Sequence, residues 1–148
     1  MEREMYMSMA LELAEEAAAH GDVPVGCVIV NADGQIIGRG RNRREALKDA
    51  TAHAEMEAIR QACAAQGDWR LDDCTLYVTL EPCPMCTGAL IQSRISTLVF
   101  GAREAQTGSC GSVIDLFQEA YGHRPAVYTG VMEQECARLL QDFFKARR

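Results

Sequence analysis

The side chains with the clearest chemical potential lie in two short stretches, His53-Ala54-Glu55 and Pro82-Cys83-Pro84-Met85-Cys86. Together they offer one imidazole, two thiols and one carboxylate. Zinc prefers nitrogen and sulfur ligands, and three protein ligands leave its fourth position to water, which is the arrangement of a catalytic site. The two stretches therefore predict one zinc ion per chain, held by His53, Cys83 and Cys86, with water or hydroxide as the fourth ligand.

Both stretches are predicted to lie at helix starts. Cys83 and Cys86 are three residues apart and so share a helix face, and the free N–H groups of a first turn lower the pKa of a thiol. His53 and Glu55 are only two residues apart, a spacing that points side chains in nearly opposite directions inside a helix. We therefore expect the metal to lie beyond the helix end, where both residues can face it.

The combination of the two motifs is more specific than either motif alone. A Cys-x-x-Cys pair also occurs in redox sites and structural zinc sites. A structural zinc needs a fourth protein ligand, but no other Cys or His lies at ligand spacing, and His20 and His123 are predicted to be loop residues. His-x-Glu followed by Pro-Cys-x-x-Cys matches the signature of zinc nucleobase deaminases, in which zinc activates a water and the glutamate transfers protons. Glu55 is the predicted catalytic residue.

The composition is typical of a globular protein in a reducing compartment. The 148 residues suit one domain, 1–148, and no apolar run approaches the length of a membrane span. The first residues lack the basic and apolar regions of a signal peptide. The seven cysteines are an odd number, which argues against a secreted disulfide framework. We expect a cytoplasmic protein with no membrane partner.

The hydrophobic pattern predicts an α/β layered domain. Strands are expected at 25–30, 35–39, 75–80, 97–100 and 126–129, and helices at about 3–19, 52–65, 84–94, 113–120 and 132–147. Thr51 is the expected cap of the second helix. The last helix is expected to place Cys136, Leu139, Leu140, Phe143 and Phe144 on one face. Helices that alternate with strands after an opening hairpin imply a mixed sheet.

Charge is distributed unevenly along the chain. The net charge is −6, yet residues 39–48 carry a net charge of +4, and the chain ends with Lys145, Arg147 and Arg148. Basic patches on an acidic protein can bind a polyanion locally. A solvated loop and a frayed helix end explain each patch equally well when it is taken alone.

Over nearly its whole length the chain resembles the bacterial tRNA adenosine deaminases, the TadA family. The resemblance lies in these stretches: Val23-Pro24-Val25-Gly26, Asn42-Arg43, Thr51-Ala52-His53-Ala54-Glu55, Leu76 to Cys83, Met85-Cys86, Ser93-Arg94-Ile95, Phe100 to Arg103, Thr107-Gly108, Gly111-Ser112, Cys136, Leu139-Leu140 and Asp142-Phe143-Phe144. It implies a three-layer α/β/α fold of the cytidine-deaminase type with a five-stranded mixed sheet. It also implies a zinc-dependent homodimer that hydrolyses the wobble adenosine of a tRNA anticodon stem-loop to inosine.

The same resemblance implies roles for the residues around the zinc. Asn42 would hydrogen-bond the flipped base, and Val23 and Leu80 would wall its pocket. The loop residues expected to contact neighbouring nucleotides are Ala102, Arg103, Glu104 and Thr107. The residues expected to contact the RNA backbone are Arg43, Arg44, Lys145, Arg147 and Arg148.

Three positions depart from the family's usual residues. Glu104 and Gln106 stand where the family usually has aspartate and lysine, and Ala50 replaces a proline. The zinc motifs contain none of these positions. The first two alter the loop that is expected to contact nucleotides. The absent lysine weakens a predicted RNA contact, and glutamate in place of aspartate shifts the carboxylate by one methylene.

Two other functions are compatible with the zinc motifs. A deaminase of a free base or nucleotide, such as guanine or cytosine, would use the same zinc ligands, but it would not need the basic patches. A non-catalytic zinc module that binds RNA would have no use for Glu55. An anticodon loop is already unpaired, so extruding its base costs less than opening a duplex. The sequence therefore favours tRNA as the substrate.

Overall fold

The computed structural model describes residues 2–147. Its helices are α1 (Glu2–Ala19), α2 (Arg44–Leu47), α3 (Ala54–Gln66), α4 (Pro84–Gln92) and α5 (Glu133–Lys145), and its strands are β1 (Gly26–Val30), β2 (Ile36–Arg41), β3 (Thr75–Leu80), β4 (Thr97–Ala102) and β5 (Ala126–Thr129). The strand order is β2-β1-β3-β4-β5. β1 pairs antiparallel with β2 and β3, whereas β3, β4 and β5 are parallel. The predicted five-stranded mixed sheet is confirmed.

Successive side chains of a strand point to opposite faces of the sheet, and helices cover both faces. Val28 packs with α1 and α5, whereas the next residue, Ile29, packs with α3 and α4. Tyr77 and Val78 divide between the same two faces. The result is the predicted three-layer α/β/α fold. None of the helices within residues 2–147 is long and apolar enough to cross a membrane.

Two glycines on β2 allow α3 to pack closely against the sheet. A Cβ atom on Gly38 would collide with the carbonyl oxygen of Ala58, and one on Gly40 would collide with that of Ala54. Ala54 is the first residue of α3. The Gly40 contact therefore helps to fix the position of the helix start, which carries the first motif.

The predicted cap of α3 was wrong. The helix begins at Ala54 with His53 as its N-cap residue, and the Thr51 hydroxyl donates instead to the Asp49 carboxylate at 2.7 Å. The Asp49 side chain also accepts the Thr51 N–H at 2.8 Å, which is the local turn that aspartate favours. The chain consequently turns before it enters the helix, and His53 stays outside it.

The helix predicted at 113–120 was also wrong. Only Leu116–Gln118 is helical, as a single 3-10 turn capped by the Asp115 carboxylate. Val113 and Ile114 are exposed rather than packed in the core. Phe117 is the one residue of this segment that is buried in the core, so the apolar pattern at Val113 and Ile114 does not reflect burial within the chain.

Candidate active site

The two sequence motifs meet where the starts of α3 and α4 come together beyond the end of β3. His53 and Cys83 are the N-cap residues of α3 and α4, and both have extended backbone angles. Glu55 and Cys86 lie in the first turns of the same helices. The prediction that both motifs lie at helix starts is confirmed. Because His53 precedes its helix, the unfavourable spacing between His53 and Glu55 does not apply.

The three predicted ligands fit a tetrahedral zinc ion. His53 Nδ1 lies 3.6 Å from Cys83 Sγ and 3.6 Å from Cys86 Sγ. With Zn–S near 2.3 Å and Zn–N near 2.0–2.1 Å, adjacent nitrogen and sulfur ligands of a tetrahedral ion are about 3.6 Å apart. In the described part of the chain these residues form the one cluster of three or more His, Cys or acidic side chains that could hold a metal.

The electrostatics of the thiols favour metal binding. The pKa of Cys83 is lowered to about 4, chiefly because its sulfur accepts a hydrogen bond from the Cys86 thiol, with His53 adding to the effect. The pKa of Cys86 is raised because it donates that bond and is buried. One thiolate thus forms readily, and the second proton leaves when a metal takes its place.

Glu55 is a buried carboxyl group in the same site. It is 4% exposed, and this desolvation raises its pKa to about 7. A group with a pKa near the operating pH can both accept and release a proton efficiently. The environment of Glu55 therefore suits a proton carrier rather than a permanently ionised carboxylate.

A cavity of about 290 Å³ opens above this site. His53, Glu55 and Cys83 form one part of its lining. The rest of the lining includes six other residues singled out from the sequence: Val23, Asn42, Arg44, Leu80, Glu104 and Thr107. Arg44 was expected to contact the RNA backbone, and the other five were expected to contact the base or its neighbours. The volume is at the lower end of the range for small-ligand sites, about 300 Å³ and above. The structure thus brings the metal site and most of the predicted substrate residues into one cavity.

Asn42 is held in a single orientation by the backbone around it. Its Nδ2 donates to the carbonyl of Val23 at 3.1 Å, and its Oδ1 accepts the N–H of Arg44 at 3.1 Å. A primary amide has a second N–H and a second lone pair. Each end of the side chain therefore retains one position for a ligand.

Other predicted substrate residues lie outside the cavity lining. Ala102 is only 3% exposed and offers almost no side-chain surface. Arg103 is exposed, with its guanidinium carbon 5.7 Å from the centre of the Phe100 ring. Arg43 Nε lies 3.2 Å from Glu57 Oε2, at ion-pair distance but without hydrogen-bond geometry.

The basic residues of the C-terminus also lie outside the lining. Lys145 is exposed at the end of α5. The guanidinium carbon of Arg147 lies 3.5 Å from the centre of the Phe143 ring, and its NH1 donates to the Phe143 carbonyl at 3.3 Å. Arg148 is beyond the described residues.

Phe144 belongs to the cavity, although the sequence pattern placed it on the buried face of α5. It is 50% exposed and lines the cavity, whereas Phe143 is buried. Adjacent helical residues are about 100° apart around the axis. Two consecutive phenylalanines therefore could not both face the core, and this spacing was the missed signal.

Sequence reasoning also missed two buried carboxylates that hold the segments around the cavity. Asp22 is 1% exposed and accepts the N–H groups of Glu45 and Ala46 at 2.7 and 3.2 Å. Glu81 is 2% exposed and accepts hydrogen bonds from the segment after β4. Each acidic residue directly precedes a residue of the predicted site or motif, Val23 or Pro82, which is the signal that the sequence contained.

Comparisons with known proteins agree with this geometry. Residues 1–102 match the family model described as the cytidine and deoxycytidylate deaminase zinc-binding region. The chain is 47% identical over 146 residues to the tRNA-specific adenosine deaminase of Bacillus subtilis, covering 98% of this chain and 90% of that protein. It is 51% identical over 138 residues to the tRNA(Ile)-lysidine synthase of Deinococcus radiodurans, covering 93% of this chain but only 24% of that longer protein.

A solved structure from a study of A-to-I editing by tRNA:A34 deaminases at the wobble position of transfer RNA is similar over most of the chain. Its TM-score is 0.88 at 43% sequence identity, and the match covers 92% of this chain and 99% of that one. The family match includes both zinc motifs, and the relative from Bacillus subtilis extends the likeness to 98% of the chain. The chain therefore belongs to the cytidine and deoxycytidylate deaminase family and, within it, to the tRNA-specific adenosine deaminases.

Proposed function

We propose that this protein is a zinc-dependent hydrolase that deaminates the wobble adenosine of a tRNA anticodon loop to inosine. The observation that carries the proposal is that one cavity is lined by the zinc ligands His53 and Cys83, the buried Glu55 and the oriented amide of Asn42. The third ligand, Cys86, is buried in the same cluster. The likeness to tRNA-specific adenosine deaminases over nearly the whole chain supports the choice of substrate. The chain acts as one domain, 1–148.

Glu55 carries the protons of the reaction. When bound, zinc lowers the pKa of a water ligand to about 7 and so supplies hydroxide at neutral pH. Glu55 takes the proton from water and delivers it to a purine ring nitrogen, which makes the neighbouring amino-bearing carbon electrophilic. Hydroxide adds to that carbon, and Glu55 then moves the proton of the added hydroxyl to the amino group. The C–N bond breaks, ammonia leaves, and the carbonyl of inosine remains. Burial of Glu55, which raises its pKa to about 7, suits both transfers.

Val23, Asn42 and Leu80 form the pocket for the extruded base. Val23 and Leu80 supply apolar walls, and both line the cavity. Asn42 offers one N–H and one lone pair at a position fixed by two backbone hydrogen bonds. Because these bonds exist before substrate arrives, the amide loses little freedom when it binds a base.

The cavity rim provides the contacts to the rest of the RNA loop. Glu104 and Thr107 line the cavity and contact neighbouring nucleotides. Beside them, Ala102 offers its backbone and Arg103 its positive charge to the same nucleotides. Phe144, half exposed in the lining, offers a ring on which an unpaired base stacks. The proposed contacts to phosphates come from Arg43, Arg44, Lys145, Arg147 and Arg148.

We further propose that the protein is a homodimer. The stretch 88–91 on α4 supports this: Leu90 is in the core, but a Cβ atom on Gly88 would meet no other atom within 4 Å. Val113 and Ile114 add exposed apolar surface, at 59% and 45% exposure. Sedimentation equilibrium tests this assignment, and a monomer at micromolar concentration would contradict it. Because its proposed substrate is tRNA, we place the protein in the cytoplasm.

The decisive experiment compares substrates of the two candidate classes. The zinc-loaded protein is incubated with unmodified tRNA and separately with free adenosine, guanine and cytosine, and the release of ammonia and the formation of inosine are measured. We expect inosine at the wobble position of a tRNA and little turnover of the small molecules. Turnover of a free base without turnover of tRNA would contradict the proposal and identify a deaminase of the alternative class.

A further inference from the structure

We propose that Glu81 is a positioning residue: its buried carboxylate docks the segment 104–112 against the turn that carries Cys83, and so places Glu104 and Thr107 in the cavity wall. The kinetic part of this inference rests on the proposed function. Its structural part depends only on the hydrogen bonds of Glu81.

The carboxylate of Glu81 accepts four hydrogen bonds from one short segment. Oε1 accepts the N–H of Glu104 at 3.0 Å and the hydroxyl of Ser112. Oε2 accepts the N–H groups of Cys110 and Ser112 at 3.1 and 3.0 Å. Between β4 and the 3-10 turn, this segment contains neither helix nor strand. A large part of its backbone hydrogen bonding therefore depends on one side chain.

The backbone on either side of Glu81 also holds this segment. The N–H of Glu81 donates to the Ala102 carbonyl at 2.8 Å, and the N–H of Ser109 donates to the Pro82 carbonyl at 2.9 Å. A Cβ atom on Gly108 would lie 2.6 Å from Glu81 Oε1, so the segment has no space to move closer. The segment therefore lies directly against the two residues that lead to the metal ligand Cys83.

These contacts connect the metal ligand to the substrate wall chiefly through Glu81, with one further hydrogen bond at Pro82. Glu81 is two residues before Cys83, and it anchors both ends of the segment that contains Glu104 and Thr107. Glu104 also holds its own loop, because its Oε1 accepts the N–H of Gln106 at 2.9 Å. The position of the wall relative to the metal therefore depends on the carboxylate of Glu81.

The variant Glu81→Gln tests this role with almost no change of shape. An amide has one acceptor oxygen, so its nitrogen must face either the Cys110 and Ser112 N–H groups or the Glu104 N–H. With the nitrogen toward Glu104 fewer hydrogen bonds are lost, because the Ser112 hydroxyl can rotate to accept a hydrogen bond from the amide. We therefore expect the Glu104 end of the segment to be released, while the metal ligands keep their positions.

Two measurements are made on the zinc-loaded protein. The first is hydrogen–deuterium exchange of the amides in 104–112, which needs no substrate. The second is the kcat and KM for an anticodon stem-loop RNA, together with the zinc content. For Glu81→Gln we expect faster exchange confined to this segment. We also expect a KM raised roughly tenfold, as for loss of a hydrogen bond to a charged group, with kcat within about twofold and about one zinc per chain.

Two further variants keep the test interpretable. Glu119→Gln is the matched control, because it makes the same substitution at an exposed carboxylate beyond the segment; it should leave KM unchanged. Ser112→Ala removes one of the four donors. It should increase the exchange rate and KM as Glu81→Gln does, but by a smaller amount. If Glu81→Gln does not fold, Ser112→Ala decides the question.

The outcomes separate this inference from the proposed function. Unchanged exchange in 104–112, or faster exchange with an unchanged KM, would overturn the role of Glu81. A fall in kcat with loss of zinc would also overturn it, since Glu81 would then support the metal ligand rather than the wall. If the wild-type protein does not deaminate the RNA, the proposed function fails, and the exchange measurement still shows whether Glu81 holds the segment.

Discussion

The metal side and the substrate side of the cavity are built in different ways. On the metal side, His53, Cys83 and Cys86 lie at two helix starts and are buried or half-buried. On the substrate side, segment 42–47 contains only the one-turn helix α2, segment 104–112 contains neither helix nor strand, and both segments are more exposed. The difference indicates that helix starts hold the groups of the metal site, whereas buried carboxylates hold the groups proposed to recognise the substrate.

The two sides also use charge differently. Burial on the metal side raises the pKa of Glu55 to about 7, while the pKa of Cys83 is lowered to about 4. On the substrate side, Asp22 and Glu81 are nearly completely buried, but each carboxylate accepts backbone N–H groups. Hydrogen bonding to an ionised carboxylate offsets the cost of burying it. One set of charges is therefore adjusted for proton transfer and the other for holding loops.

The largest expected effect is that of substituting Glu55 on the metal side. Glu55→Gln keeps the shape of the side chain but removes its ability to accept and release a proton, and general acid–base catalysis contributes about 10²–10⁴-fold to a rate. We expect kcat for RNA to fall by about that factor while the zinc content stays near one per chain. Metal analysis and single-turnover deamination assays measure the two quantities.

The control for this variant removes a zinc ligand instead. Cys86→Ala should lose both zinc and activity, because two protein ligands remain. If Glu55→Gln also loses its zinc, Glu55 has a structural role and the division of the metal side into ligands and a proton carrier is wrong.

The metal side was predictable from the sequence because its features are local. Zinc ligands are recognised by residue type and spacing, and β3 has the predicted bounds, Thr75–Leu80, because a run of β-branched and apolar residues ends at turn residues. The start of α3 was less predictable. It depends on the turn at Asp49 and on contact with Gly40, which lies on strand β2, more than ten residues before the helix in the chain.

The substrate side was only partly predictable because its structure depends on distant residues. Asp22 holds Glu45 and Glu81 holds Ser112, pairs that are 23 and 31 residues apart along the chain. No local pattern reveals such pairs, and the resemblance supplied Asn42 and Thr107 without the groups that support them. Phe144 is different, because its signal was local: adjacent helical residues point about 100° apart, so Phe143 and Phe144 do not share one direction.

A smaller effect is expected from substituting Asp22, which holds segment 42–47 on the substrate side. Asp22→Asn retains one acceptor oxygen for the two N–H groups of Glu45 and Ala46, so the segment 42–47 loosens. We expect KM for RNA to rise roughly tenfold and the free energy of unfolding to fall by about 1–3 kcal/mol, with kcat and zinc content unchanged. Steady-state kinetics and urea unfolding measure these changes.

The sign of this effect separates positioning from charge. Removing a negative charge near a basic patch would by itself tighten RNA binding, so a higher KM must come from the lost hydrogen bond. Asp33→Asn is the matched control because Asp33 is exposed in the turn between β1 and β2. An unchanged KM in Asp22→Asn would show that the buried carboxylate does not hold the recognition segment.

The smallest expected effect distinguishes two neighbouring arginines within the substrate side. Arg44 lines the cavity, and its NH2 lies 3.8 Å from the carboxylate of Glu45 in a pair whose side chains are 52% and 59% exposed. Arg43 Nε lies closer to its partner, 3.2 Å from Glu57 on α3, and the Glu57 side chain is only 22% exposed. If Arg44 contacts a phosphate, Arg44→Ala lowers the slope of log affinity against log salt concentration by about 0.7, as for one single-strand phosphate contact. We expect a smaller change for Arg43→Ala because Glu57 already neutralises part of its charge.

Arg70→Ala is the control, since Arg70 pairs with Asp68 outside the cavity lining. RNA binding titrations from about 0.05 to 0.2 M salt measure the slopes. Equal slopes for the wild type and Arg44→Ala would remove α2 from the RNA path and leave Asn42 as the recognition residue of that segment.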